Sequence, residues 1–377
     1  MNTTWRQCTI GDVCDTISNT YNSNAQQVVL INTSDVLEGK VLNHIYIPNE
    51  NLKGQFKKTF EEGDILYSEI RPQNKRYAYI DFAPINYIAS TKLMVIRNKN
   101  IVKSKYLYYF LQSDKIISEL QMLAETRSGT FPQITFNELS KLSIKIPPLP
   151  EQDRIISILD SICKKIDINQ QINDNLEEQA KALFKSWFVD FDRNEWVHCE
   201  LGDITLITAG GDRPSKYTNK KTIECYVPIY SNGIDNEGLY GYTNVAKIHE
   251  ESITISARGT IGYVCLRLEP YVPIVRLISI IPNKKELSAK YLYLWALTQN
   301  ITGTGTTQQQ LTVPIFRKTP ISIPSDTKLK QFNSIADPLF SQIESNKKEN
   351  IKLSTLRDTL LPKLMSGEIS VEEVSLD

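Results

Sequence analysis

Only three histidines occur in 377 residues, no two cysteines are spaced as C-x-x-C, the formal net charge is zero, and no apolar run is long. Each shortage removes a class of function. Lys247-Ile248-His249-Glu250-Glu251 lacks the second histidine of a zinc-protease H-E-x-x-H. Cysteines 8, 14, 163, 199, 225 and 265 are scattered, which suggests neither a zinc site nor a disulfide framework and fits a reducing cytoplasm. The most apolar stretch, Tyr271 to Ile281, is short and holds Arg276, and the opening MNTTWRQCTI has neither a basic start nor an apolar run. Neither a membrane span nor a secretion signal is expected. The phosphate loop G-x-x-x-x-G-K-[ST] and the nucleophile elbow G-x-S-x-G are also missing. The single Pro-Pro, Pro147-Pro148, does not sit in the Asn/Asp-Pro-Pro-aromatic setting expected of a methyltransferase acting on a base amino group. Gly303-Thr304-Gly305-Thr306-Thr307 does not lie between a strand and a helix as a dinucleotide loop requires. These absences argue against a stand-alone endonuclease or methyltransferase.

What is present is a repeat. Ile155, Leu159, Ile162, Ile166, Asn169, Asn173, Leu176, Ala180, Leu183 and Trp187 follow one another in alternating steps of four and three. That spacing keeps one seam of a helix facing a partner. The same pattern returns 177 residues later as Phe332, Ala336, Leu339, Ile343, Asn346, Asn350, Leu353, Arg357, Leu360 and Leu364, with the two asparagines in register. Trp5-x-x-Cys8-x-x-Gly11-Asp12 is likewise answered by Trp196-x-x-Cys199-x-x-Gly202-Asp203, and Ile144-Lys145-Ile146-Pro147 by Ile321-Ser322-Ile323-Pro324. The chain is a two-unit repeat. The expected division is residues 1–150, a helix over 151–190, residues 191–325, and a second helix with tail over 326–377. Pro147, Pro148 and Pro150 end a strand and start the first helix; Pro338 is expected to kink or restart the second with Asp337 as its cap, and Pro362 weakens Leu364 as a seam residue. Ser104 and Ser288 are expected caps of two matching helices that open with Lys-Tyr-Leu-Tyr.

Charge permits a nucleic-acid partner without demanding one. Lys and Arg exceed Asp and Glu by three in 1–150 and by two in 191–325, whereas acids exceed bases by three in 151–190 and by two in 326–377. Basic and amide side chains gather in expected hairpin loops. Arg71, Gln73, Asn74, Lys75 and Arg76 lie between a strand over 65–68 and another over 77–80. In the second unit, Arg258 and Thr260 lie between strands expected over 252–256 and 261–264, and Arg213, Lys216, Lys220 and Lys221 precede them. Thr307 and Gln308 come later, as do Arg127 and Thr130 in the first unit. Such side chains can hold phosphates and read base edges, although one loop of this kind is ordinarily plain solvated surface.

The chain resembles a specificity (S) subunit of a type I restriction-modification system. The resemblance rests on the Gly-Asp start of each unit, on Ser128-Gly129-Thr130-x-x-Gln133-Ile134, and on Ile146-Pro147-Pro148-Leu149-Pro150-Glu151-Gln152. It continues through Lys185-Ser186-Trp187-Phe188-Val189-Asp190-Phe191 and the closing run from Leu356 to Glu368, and so covers the whole chain. It implies an α+β protein in which two mixed α/β target-recognition domains are separated by two long antiparallel coiled-coil helices with a pseudo-two-fold repeat. It further implies a non-catalytic subunit that binds double-stranded DNA at a bipartite target, with base-reading residues within roughly 15–100 and 205–280. Two methyltransferase subunits holding S-adenosylmethionine and ATP-dependent restriction subunits are the implied partners; no cofactor is expected on this chain. A specificity subunit of a related bifunctional restriction enzyme and a coiled-coil scaffold that does not bind DNA are the competing readings.

From 155 to 187 an α-helix rises about 48 Å, the length of about 14 base pairs, so the helices can act as a ruler between half-sites. Antiparallel pairing predicts Asn169 near Asn350 and Asn173 near Asn346, a polar waist fixing register. Ile156, Ile168, Ile172, Phe184 and Phe188 are apolar but off the seam, and are expected to dock methyltransferase subunits.

Overall fold

The computed structural model describes residues 5–52, 54–126, 132–190, 196–283, 285, 287–301 and 311–374. It divides into two compact units, Met1–Ile168 with Glu349–Asp377, and Asn169–Lys348. Each long helix therefore contributes one half to each unit.

In the first unit, β1 (Arg6–Thr9) is followed by β2 (Cys14–Ile17), β3 (Gln27–Ile31), β4 (Ile65–Ser68), β5 (Tyr77–Tyr79), β6 (Tyr87–Ser90) and β7 (Leu93–Asn98). Helices α1 (Ser104–Leu111) and α2 (Asp114–Glu125) then lead to β8 (Ser143–Ile146) and to α3 (Leu149–Phe184). One antiparallel sheet has the order β2-β7-β4-β5, and a second pairs β3 with β6 in parallel. The ladder β1–β8 closes the whole segment, Thr9 pairing with Ser143 and Arg6 with Ile146. Along β8 only Ile144 and Ile146 are buried, the period-2 pattern of a strand with one face on a core. That core also takes in Ile155 and Leu159 of α3 and Leu361, Leu364 and Met365 near the chain's end.

The second unit repeats this plan. It contains β9 (Val197–Glu200), β10 (Thr205–Ala209), β11 (Val227–Tyr230), β12 (Leu239–Thr243), β13 (Ser252–Ile255), β14 (Val264–Arg267), β15 (Val272–Pro273) and β16 (Ile278–Pro282). Helix α4 (Ala289–Leu297), β17 (Pro320–Ile323) and α5 (Asp326–Ser366) follow. Sheet order β10-β16-β13-β14 matches β2-β7-β4-β5, the parallel pair β11–β15 matches β3–β6, and the closing ladder β9–β17 pairs Glu200 with Pro320. Side chains repeat too. Lys105 Nζ meets Asp160 at 2.6 Å and Lys290 Nζ meets Asp337 at 2.6 Å. Tyr106 Oη donates to Lys145 O and Tyr291 Oη to Ser322 O. The Gly-Asp motif is a tight turn: Asp12 accepts from Thr9 N and Asp203 from Glu200 N. A Cβ on Gly11 would lie 3.1 Å from Ser140 Cβ, and one on Gly202 3.1 Å from Arg317 Cβ.

Several expectations need correction. Helix α5 runs unbroken through Pro338 and Pro362. Pro338 and Ser334, whose carbonyl loses its donor, are both exposed, so water can satisfy that carbonyl while Phe332, Ala336 and Phe340 stay packed. Asp337 pairs with Lys290 and caps nothing, and Leu364 is fully buried. Ser288 does cap α4, accepting from Tyr291 N, whereas Ser104 lies inside α1 and the N–H of Lys103 is taken by Gln152. The return strand of the second hairpin begins at Val264, because Gly259 and Gly262, both at positive φ, extend the turn.

The buried stripe of α3 also leaves the expected seam. Leu183 and Trp187 are half-buried, while Ala180, Phe184 and Phe188 form the core contact. Phe184 and Phe188, each 2% exposed and packed edge-on against Phe332 and Tyr291, are thus interior residues and not an outer docking face. A π-helical turn over Lys185–Val189 accompanies this change of phase.

Candidate nucleic-acid interface

In the first unit, the loop between β4 and β5 is a 3-10 turn, Pro72–Asn74, bracketed by Arg71 and Lys75 in left-handed conformation. Its backbone is tied down: Arg71 N donates to Pro132 O, and Gln73 N to Gln121 Oε1. Arg71, Gln73 and Asn74 are exposed. Arg76 instead turns inward and donates to the carbonyls of Ser34 and Val36, and Lys75 pairs with Asp114 at 3.2 Å. The loop thus presents three side chains outward and spends two on holding itself.

In the second unit, Arg213 stacks 4.0 Å over the Tyr217 ring and donates to Tyr240 Oη. The Tyr240 hydrogen bond, with the nearby rings, raises the guanidinium's pKa further. Lys216 pairs with Glu224 at 2.8 Å, which raises the lysine and lowers the carboxylate, while Lys220, Lys221, Arg258 and Thr260 are exposed. Strand β12, which carries Tyr240, is entered through Asn236 and Glu237, both at positive φ. Glu237 holds this bend by accepting from Arg267, which is 4% exposed and stacked 3.5 Å over Tyr230, and from Lys347 of α5 at 2.7 Å. Asn232 is a second brace: its Oδ1 accepts from Ala257 N and its Nδ2 donates to Val275 O.

Tyr217, Asn232, Tyr240 and Arg267 escaped the sequence reading. Tyr217, four residues after Arg213, was the one sign available in the sequence. Arg127, Thr130, Thr307 and Gln308 lie outside the described residues.

Among the asparagines, Asn346 Nδ2 donates to Asn173 Oδ1 at 2.8 Å in the second unit, and Gln342 donates to Asn346 Oδ1. In the first unit, Asn350 Nδ2 donates to Ile166 O, one residue from the Lys165–Glu349 ion pair. Asn169 is buried. Ile168 and Ile172 are 40% and 41% exposed, and Ile156 packs partly against the first unit's core. Among the described residues, no cluster of His, Cys, Asp or Glu could hold a metal ion, and no helix is long and apolar enough to cross a membrane.

A family model described as the type I restriction modification DNA specificity domain matches residues 2–178 and again 193–355. The specificity subunit of the type I restriction enzyme HindI from Haemophilus influenzae is 33% identical over 97% of this chain and 99% of that protein. The MjaIX specificity subunit of Methanocaldococcus jannaschii is 28% identical over 78% of this chain and 77% of its own length. The crystal structure of the type I restriction-modification S subunit from M. genitalium shares the fold, with a TM-score of 0.53, 18% identity and coverage of 97% of this chain and 96% of that one. With the duplicated unit and its two closing ladders, these matches establish that the chain belongs to the type I restriction-modification DNA specificity family, as a non-catalytic specificity subunit.

Proposed function

We propose that this subunit reads a bipartite duplex target, one half through each unit, and that the paired helices set the allowed spacing. The carrying observation is that the specificity-domain match falls twice on the chain, on two units with the same sheet order and the same closing ladder. Arg71, Gln73 and Asn74 in one unit, and Arg213, Lys220, Lys221, Arg258 and Thr260 in the other, supply exposed cations and amides suited to phosphates and base edges. The Asn173–Asn346 contact supports a register role for the polar waist.

S-adenosylmethionine and ATP chemistry then belongs to partners in the cytoplasm: two methyltransferase subunits docked on exposed helix faces, and restriction subunits. Ile168 and Ile172 are the exposed apolar candidates for docking. Glutamate at either position is expected to reduce co-purification of the methyltransferase subunits without lowering Tm, and unchanged co-purification would dismiss that face.

The central experiment maps methylated bases in the source genome with and without this gene. One bipartite motif with a fixed gap should disappear on deletion. An unchanged methylation map would refute the reading.

A further inference from the structure

Arg276 interrupts the most apolar stretch of the chain, and in the second unit Val275 and Arg276 form the turn between β15 and β16. Both adopt left-handed conformation, with φ of 53° and 60°. For a β-branched valine this is a true outlier, and such strain persists only where the surroundings impose it. They do so here. Val275 N donates to Gly211 O and Arg276 N to Gly210 O, while Gly210 N donates to Leu277 O. Gly210 is required for this approach, since a Cβ there would lie 2.7 Å from Ile274 N. Asn232 Nδ2 closes the set on Val275 O at 2.6 Å.

The strained turn points outward. Val275 is 51% exposed, Arg276 is exposed, and the Arg276 guanidinium has no hydrogen bond or ion pair among the described residues. By contrast, Arg213 and Arg267 are engaged by tyrosine, threonine and glutamate. The equivalent turn of the first unit, between β6 and β7, carries Lys92, which is braced by Gln133 and Glu69. Both units thus place a cation at this turn. Only in the second is it an unengaged arginine on a fixed backbone. Through Asn232 the turn is also tied to the base of the loop that carries Arg258 and Thr260.

We propose that the Val275–Arg276 turn is a base-reading element of the second unit. Arg276 forks onto O6 and N7 of a guanine in the major groove, Val275 offers an apolar face to a neighbouring thymine methyl, and Asn232 is the positioning residue for both loops. Guanine is the base whose paired acceptors fit a guanidinium, and a turn already fixed loses little entropy on binding. This inference rests on the reading of the chain as a DNA specificity subunit.

The test uses the chain assembled with its methyltransferase subunits, and compares binding to the mapped target with binding to duplexes scrambled in one half or the other. Arg276→Ala and Arg276→Lys should each lower discrimination at one half by about 5- to 150-fold and leave the other half unchanged. The lysine variant keeps the charge and loses the fork, which separates base reading from general attraction. Val275→Gly relieves the positive φ, so it should keep or raise Tm while widening base tolerance in the same half. Wild-type discrimination in both arginine variants, or equal weakening on every duplex, would overturn the proposal. A wild-type complex that discriminates at neither half would instead overturn the DNA-specificity reading itself.

Discussion

Gly210 and Gly211 are neighbours with no sequence feature to rank them, yet their surroundings differ sharply. A methyl at Gly210 collides with the backbone of Pro273 and Ile274 at 2.7 Å, whereas the nearest atom to one at Gly211 is Lys247 Nζ at 3.5 Å. Gly210→Ala should cost about 1–3 kcal/mol and Gly211→Ala distinctly less, as read from denaturant midpoints. Equal midpoints would show that the turn against Gly210 can move aside. Glu344 carries a pH dependence of definite sign. Burial raises its carboxyl pKa above the ordinary glutamate value, with Lys347 offsetting part of the effect. The folded chain therefore binds this proton more tightly than the unfolded chain, and stability falls as pH rises from the ordinary value through the raised one. Glu344→Gln should stabilise the protein above that window and make no difference below it. A stabilisation that grew on acidification would contradict the assignment.

At the level of elements, the long helices show what spacing can and cannot reveal. The seam through Ile155, Leu159 and Ile162 in the first unit and its counterpart in the repeat, through Phe332 and Ala336 in the second, are each buried as their periodicity implies. Beyond Ala180 the buried stripe proceeds in steps of four, which on a regular helix drift by about 40° each. The wider π turn over Lys185–Val189 takes up that drift, and no local spacing announced it. Pro338 was misleading for a related reason: a proline's cost depends on whether the orphaned carbonyl can reach water, and that is a property of burial. The asparagine waist lends itself to a double-mutant cycle. Asn346→Leu alone removes the donor to buried Asn173 Oδ1 and should cost about 1–3 kcal/mol. Leucine at both 173 and 346 should recover that loss or exceed it, since Asn173 Nδ2 already has no partner among the described residues. If the polar pair fixes register, methylation by complexes assembled with the double variant should also lose its single gap length; a retained gap would confine the pair to packing.

Across the whole molecule, the legible parts were those that occur twice. The Gly-Asp turn, the closing strand and the long helices recur with the same partners, so their spacing alone marked two units. The reading surface was less legible. Arg76 looked like a reader and also braces its loop through the carbonyls of Ser34 and Val36, while Arg276 looked like an interruption in an apolar run. Their roles follow from backbone ties made by Ser34, Gly210 and Asn232, which are remote in sequence. The closing ladders carry a further consequence. Because Thr9 faces Ser143 and Glu200 faces Pro320 in equivalent antiparallel ladders, everything between enters and leaves through one pair of strands. Residues 10–142 and 201–319 are therefore bounded like interchangeable cartridges. Recombination with cut points in these ladders could trade one half of the target for another while leaving the remaining framework intact, so new specificities can arise by exchange without the slow redesign of a protein core.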